Sequence, residues 1–313
     1  MRIVVAGAGQ IGSLVGAAAI ENGNDVEFYD TNPELVAALN RDGLTIERQN
    51  GRADRYTVKA TTEPGSTFDG PADLVLVQVK GFATRAAAEE LRAVVDRDSG
   101  VLTLQNGLGN EQILREVFPG NEVFIGMTTH TVVTQALGRY LHTGMRETFL
   151  GPSHGDHLAR AEVVAAAIRR DDFPVTVNPE SQIRVQQWGK FVANCAVLPV
   201  SALTRLRIDL LIQHQSTYDL MDAIVREACA IALAEGVAFD PEERVAFLHD
   251  LLSRAGGRAS MLGDVLAGRR TEVETINGAA IMFADRHGIS APLNRAMYSL
   301  VKGLDHAMAV GKP

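Results

Sequence analysis

The chain predicts an α/β domain built on a parallel sheet, followed by an all-helical domain. Three observations predict this. Short apolar runs alternate with helical stretches through the first half. A glycine-rich turn, Gly7-Ala8-Gly9-Gln10-Ile11-Gly12, joins the first run to the first helix. After Asn178-Pro179-Glu180, helical periodicity dominates. Apolar strands separated by helices belong to a sheet covered on both faces. The expected division is residues 1–178 and residues 179–313.

The elements follow in order. Ile3–Ala6 reads as a buried strand, and Gln10–Asn22 as an Ala-rich helix ended near Gly23. Val26–Tyr29 is a second strand. Pro33–Asn40 is a short helix with Asn32 as its N-cap. Leu44–Glu47 and Tyr56–Ala60 read as an antiparallel insertion. Leu74–Val77, a helix over Thr84–Val95 and the strand Val101–Leu104 resume the alternation. Val123–Val133, Arg139–His142 and Glu147–Leu150 read as strands extending the sheet. A helix over His157–Arg170 and a strand over Pro174–Val177 close this half. The helices expected beyond are Ile183–Val197, Thr217–Glu235, Pro241–Leu252, Glu274–His287 and Leu293–Met308.

The 313 residues suffice for two domains with separate cores. Apolar residues make up 46% and charged residues 22%, the balance of a globular protein rather than a disordered one. The net charge is −8 and no long basic run occurs, which argues against nucleic acid or an anionic membrane as partner. The opening residues do not read as a signal peptide, and no run approaches the ~18 apolar residues of a membrane span. Cys195 and Cys229 form no CxxC pair, so a disulfide framework is not expected and a reducing cytoplasm fits.

The glycine turn has the context of a dinucleotide site, because it follows a strand and opens a helix. Gly7 permits the tight turn, Gly9 lets a pyrophosphate approach the backbone, and Gly12 lets helix and strand pack closely. The N–H groups around Gln10 and Ile11 open a helix whose positive end suits phosphates. This makes the first domain Rossmann-type. Asp30 ends the second strand. An acid there accepts from the ribose hydroxyls and repels a 2′-phosphate, which favours NAD(H) over NADP(H). Asp30-Thr31-Asn32-Pro33 is also turn chemistry, so Asp30 could merely cap the next segment. Arg41 lies too far along to serve an obvious 2′-phosphate.

Seven separated motifs resemble the ketopantoate reductase family, which includes related D-2-hydroxyacid dehydrogenases. They are AGAGQIG, VLVQVKGF, LQNGLGN, GMTTHTVV, WGKFVANCAVLPVSALT, SMLGDVLAGRRTEVETINGAAI and HGISAP, spread over nearly the whole chain. The resemblance implies a Rossmann domain joined to a 6-phosphogluconate-dehydrogenase-like helical domain. It implies hydride transfer between a nicotinamide cofactor and a 2-oxo acid, giving a 2-hydroxy acid. It also suggests a homodimer, although some relatives are monomers.

Reducing a ketone requires an acid for the developing alkoxide. Lys190 matches the family's catalytic lysine and Asn194 its substrate-binding asparagine. The two are i and i+4, on one helix face. Drawing a lysine out of water lowers its pKa and makes it a competent acid. Taken alone, the pair reads equally as a solvated surface. Glu272 matches the glutamate that positions cofactor and lysine, whereas Glu274 suits a helix first turn. Ser260 matches the serine that binds the substrate carboxylate, or else is an N-cap. Lys80 and Asn106 follow strands at their C-terminal ends, where open α/β sheets bind ligands. The resemblance implies that both face the cofactor near the nicotinamide half and the reaction centre. Gly107 and Gly109 permit close backbone approach there. Asn277 is expected to close a turn with Gly278. His130 reads as a structural histidine, because one acid suffices, and His154 and His157 lack the further ligands of a metal site.

One position departs from the family. Leu198 stands where ketopantoate-reducing members usually carry a second asparagine, completing a stripe with Lys190 and Asn194 if the helix reaches Pro199. Losing that partner would cost a substrate hydroxyl ~1–3 kcal/mol, which favours a bulky or apolar 2-oxo acid. The alternative is 2-dehydropantoate itself. A non-catalytic nucleotide sensor would not need the set Lys190, Asn194 and Glu272. A 6-phosphogluconate-type dehydrogenase would show a different lysine–asparagine motif.

Overall fold

The structure is a computed structural model that describes residues 1–67, 69–144 and 147–311. In chain order the elements are β1 (Arg2–Ala6), α1 (Gln10–Glu21), β2 (Asp25–Tyr29), α2 (Pro33–Asp42), β3 (Leu44–Arg48), β4 (Ala53–Tyr56), β5 (Lys59–Thr61), β6 (Leu74–Val77), α3 (Thr84–Leu91), β7 (Gly100–Thr103), α4 (Asn110–Val117), β8 (Val123–Thr128), β9 (Thr131–Ala136), β10 (Arg139–Gly144), β11 (Thr148–Pro152), α5 (Leu158–Ile168), β12 (Val175–Val177), α6 (Glu180–Thr204), α7 (Ile208–Leu211), α8 (Gln215–Ala234), α9 (Pro241–Arg254), α10 (Ser260–Leu266), α11 (Ala279–Arg286) and α12 (Pro292–Ala309). A 3-10 turn spans Gly81–Ala83 and a π turn spans Glu274–Gly278.

Two compact units divide the chain. One holds Met1–Gln105 and Asn110–Ile183. The other holds Asn106–Gly109 and the chain from Arg184 onward. The division falls at Ile183, inside α6, rather than at 178. The tetrapeptide Asn106–Gly109 groups with the helices because Leu108 packs in their core and its N–H donates to the Thr275 carbonyl at 3.3 Å.

The first unit carries an eight-stranded sheet in the order β12-β11-β8-β7-β6-β1-β2-β5. From β5 to β8 every pairing is parallel, and β11 runs antiparallel to β8. Alternate side chains of β1 enter separate cores. Ile3 and Val5 pack with Leu14, Phe28 and Val164. Val4 and Ala6 pack with Leu91, Val101 and Leu114. Both faces are therefore covered, as the apolar runs require. Between β1 and β6 the strand order reverses. Ligands bind beyond the strand ends at such a point.

Two expected features are corrected here. Tyr56–Ala60 is not one strand. β4 pairs antiparallel with β3, whereas β5 joins the large sheet beside β2. Val123–Val133 also breaks, so β9 and β10 do not extend the large sheet. They join β3 and β4 in a second sheet of order β4-β3-β10-β9. Local patterning identifies a strand but not its distant partner, and here the pairing of β10 with β3 is the deciding contact.

In the second unit, α6 runs through Pro199 to Thr204, past the Val197 expected. Proline has no N–H for the carbonyl four residues back. That carbonyl, on Cys195, instead accepts from the Asn277 Nδ2 at 3.0 Å. Asn277 is fully buried and also donates to the Asn294 Oδ1 at 2.9 Å. It ties helices together rather than closing a turn with Gly278. The stretch expected as one helix from Glu274 opens as the π turn, where the Gly278 N–H reaches back to the Val273 carbonyl at 2.9 Å.

Candidate active site

The glycine loop of the first unit is shaped by steric contacts. Gly7 has φ +97°, and a Cβ there would lie 2.7 Å from the Gln78 carbonyl oxygen. A Cβ on Gly12 would lie 2.0 Å from the Gly7 oxygen, while one on Gly9 would meet nothing within 4 Å. Gly7 and Gly12 are thus demanded by the chain, and Gly9 is not. Gly9 is the N-cap of α1 and has no side chain to accept from the first turn. No side chain caps the first N–H groups of α1, at a positive helix end, which fits a pyrophosphate.

Asp30 meets this loop. Its Oδ2 accepts from the Ala8 N–H at 2.9 Å, and its Oδ1 from the Asn32 N–H at 2.9 Å. Asp30 therefore braces the loop and also shapes the turn before α2, and each oxygen retains acceptor capacity for a ribose hydroxyl. Asn32 caps α2 as expected, accepting from the Glu34 and Leu35 N–H groups. Three supports escaped the sequence reading. The Tyr140 hydroxyl donates to the Ala8 carbonyl at 2.6 Å, the Ser13 hydroxyl donates to the same oxygen at 2.9 Å, and Gly16 leaves room for the Phe28 ring. Gly16 follows Gly12 by one turn, a spacing that could have revealed it. Tyr140 comes from β10 and has no local signal. Lys80 ends β6's extension as the N-cap of the 3-10 turn.

Within the second unit, Lys190 sits on α6 and is half-buried. Burial pushes its ammonium down to about 8, and the nearby Glu272 carboxylate opposes that shift. Lys190 and Glu272 are thus brought together. Asn194 follows one turn later and is also half-buried. Leu198 is 8% exposed and packs in the helical core, which by itself accounts for an apolar residue there. Ser260 is exposed in the first turn of α10. Ala259 is the N-cap, so Ser260 is not the cap. Asn106 lies on the tetrapeptide bound at Thr275, three residues after Glu272. A Cβ on Gly107 would lie 2.2 Å from the Thr275 oxygen. Glu274 pairs with Lys302 and with Arg270 at 3.0 Å, the structural part expected of it.

His130 is buried. It stacks on Phe173 with centroids 4.5 Å apart, and its Nδ1 lies 2.9 Å from the His142 Nε2. Desolvation, with His142 nearby, pushes it down to about 4, so it is neutral at physiological pH. His157 lies 2.9 Å from Glu122.

A glycine loop at the uncapped start of a helix, on a doubly wound sheet, and a desolvated lysine beside a glutamate define the class of nicotinamide-dependent oxidoreductases. Comparison with known proteins narrows it. Residues 3–155 match the model of the ketopantoate reductase PanE/ApbA family, and residues 182–305 match its C-terminal model. The chain belongs to the ketopantoate reductase family, whose members are NAD(P)H-dependent reductases. A 2-dehydropantoate 2-reductase of Halobacterium salinarum is 34% identical over 303 residues, covering 96% of this chain and 98% of the relative. One of Archaeoglobus fulgidus is 31% identical, covering 98% and 99%. Among solved structures, a PanE/ApbA family ketopantoate reductase from Ralstonia eutropha has TM-score 0.86 at 28% identity, covering 99% of this chain and all of that one. D-mandelate dehydrogenase with NADH and anilino(oxo)acetate has TM-score 0.92 over 99% of this chain and all of that one; at 22% identity it shows a shared fold. No helix among the described residues is long and apolar enough to cross a membrane.

Proposed function

We propose that this protein reduces the carbonyl of a 2-oxo acid to a D-2-hydroxy acid, with Lys190 as general acid. The carrying observation is the pairing of Lys190 with Glu272. Desolvation makes the ammonium a stronger acid than an ordinary lysine, while the carboxylate keeps it charged near neutral pH. The bound dinucleotide supplies the hydride. Gly7, Gly9, Gln10, Ile11 and Gly12 hold its pyrophosphate through backbone groups. Lys80, Asn106 and Glu272 serve its nicotinamide half. Asp30 accepts from the adenosine ribose and repels a 2′-phosphate, which supports NAD(H) over NADP(H). Lys190 passes a proton from Nζ to the developing alkoxide. Asn194 and Asn106 orient the substrate, and Ser260 takes its carboxylate. In this reading the protein is a cytoplasmic homodimer whose partner is a small-molecule 2-oxo acid.

Leu198 supports a bulky or apolar 2-oxo acid. A second reading, 2-dehydropantoate itself, is supported by the names of archaeal relatives above 30% identity. Absorbance at 340 nm separates the two, with NADH and NADPH each crossed with 2-dehydropantoate, 2-oxoisocaproate and phenylglyoxylate. NADH with a bulky acid is the expected best pair, and NADPH with 2-dehydropantoate would select the second reading. Lys190→Ala should lose ~10²–10⁴-fold in kcat. A Lys190→Ala enzyme as fast as wild type would end both readings.

A further inference from the structure

Glu272 lies in the irregular segment between α10 and the π turn, outside any regular helix. What holds this segment comes from elsewhere. Asp264, at the end of α10, binds the Arg269 guanidinium at 3.0 Å. Arg270 and Lys302 both engage Glu274. Thr271, fully buried and next to Glu272, is clamped twice by α12. Its N–H donates to the Asp305 Oδ1 at 3.0 Å, and its hydroxyl donates to the Asp305 Oδ2 at 2.9 Å. Lys302 and Asp305 are i and i+3 and share one face of α12. That face is turned to the residues on either side of Glu272. On its other side, the Glu272 carbonyl accepts from the Thr275 and Ile276 N–H groups at 3.1 and 3.2 Å.

We propose that Asp305 is a positioning residue for Glu272: by gripping Thr271 through both carboxylate oxygens, it sets where the Glu272 carboxylate stands relative to Lys190. The proposal rests on the reading of Lys190 as the acid. A two-point grip on one residue fixes both the position and the rotation of its peptide, and so the direction in which the next side chain leaves the chain. Asp305 acts through Thr271. Glu272 is the charge that acts on Lys190 among the described residues. The charges packed around its segment are Asp264, Arg269, Arg270, Glu274, Lys302 and Asp305.

The test is the pH profile of kcat/KM for reduction. In wild type the rate should fall above pH ~8, as Lys190 loses its proton. Glu272 holds that proton on, so Glu272→Gln should move the alkaline limb to lower pH. Asp305→Ala should move it the same way by a smaller step and lower kcat by ~10–10²-fold, the scale of a catalytic group slightly misplaced. Asp305→Asn keeps an acceptor for the Thr271 N–H and can donate its Nδ2 to the Thr271 hydroxyl, so the two-point grip survives without the charge and the limb should stay near wild type. Thr271→Val removes only the hydroxyl bond and serves if Asp305→Ala does not fold. It should move the limb part of the way. If Glu272→Gln moves the limb and neither Asp305→Ala nor Thr271→Val does, Asp305 is merely structural and the proposal falls. If Asp305→Asn moves it as far as Asp305→Ala, charge rather than position is acting, and the proposal also falls. If Glu272→Gln leaves the limb in place, the Lys190 reading fails first and takes the proposal with it.

Discussion

The glycine loop and the Lys190 segment are built on opposite plans. The loop is nearly continuous in sequence. Gly7 to Gly12 set its path, and Asp30 meets it from the end of the next strand. Its chemistry resides in backbone N–H groups, which any residue can supply, so selection shows as the absence of Cβ atoms. The Lys190 region depends on side chains, Lys190 from α6 and Glu272 from a segment remote in sequence, with the tetrapeptide Asn106–Gly109 bound at Thr275, close in sequence to Glu272. Each of these is held by a further residue remote in sequence, such as Asp305, Asn277 or Thr275. A site made of backbone is sensitive to added bulk. A site made of converging side chains is sensitive to the loss of distant hydrogen bonds.

The largest effect should come from bulk in the loop. Gly12→Ala places a methyl 2.0 Å from the Gly7 oxygen, a clash with backbone that cannot turn aside. It should cost about 3 kcal/mol in unfolding free energy and abolish dinucleotide binding. A variant of wild-type stability would break the comparison.

Acid sharpens it from the side of the small sheet. His130 is pushed down to about 4 in the folded protein, from an ordinary 6.5. Between those values the unfolded chain binds more protons than the folded one, so stability should fall as pH drops from ~6.5 to ~4. The full span corresponds to roughly 3 kcal/mol. His130→Phe should flatten that part of a melting-temperature profile, and an unchanged slope would locate the titration elsewhere.

A similar or smaller loss should follow in the helical unit. Asn277→Leu strands the Cys195 carbonyl, which Pro199 cannot serve. The expected cost is ~1–3 kcal/mol in chemical denaturation, the scale of an unsatisfied buried acceptor. A neutral result would mean that α6 tolerates the missing bond by another route.

The smallest change in stability should be the most informative. Gly9→Ala meets no atom within 4 Å, so unfolding should shift only by the ~0.5–1 kcal/mol that alanine costs at an N-cap. The methyl nevertheless stands where the proposed function places the pyrophosphate, and NADH affinity measured by fluorescence titration should fall by ~10-fold or more. Unchanged affinity would show that the open space over Gly9 is not the phosphate cradle.

Elements governed by neighbours in sequence were legible beforehand. β1, β6 and β7 show as the apolar runs Ile3–Ala6, Leu74–Val77 and Val101-Leu102 because both faces of their sheet are covered. Asn32 shows itself as a cap because its partners lie two and three residues ahead. The glycine loop was legible for the same reason: a positive φ and a close approach exclude side chains at fixed spacing. Lys190, Asn194 and Glu272 were different. Periodicity puts the first two on one helix face, but only resemblance to a family marked them as chemical, and nothing local ties Glu272 to them. The second sheet, the grip of Asp305 on Thr271, the bond that carries α6 past Pro199 and the Tyr140 hydroxyl under the loop join residues tens of positions or more apart. Each depends on which of many sterically allowed pairings the packed chain adopts. That choice is made by the sum of burial over the whole molecule, and no short stretch of residues carries it.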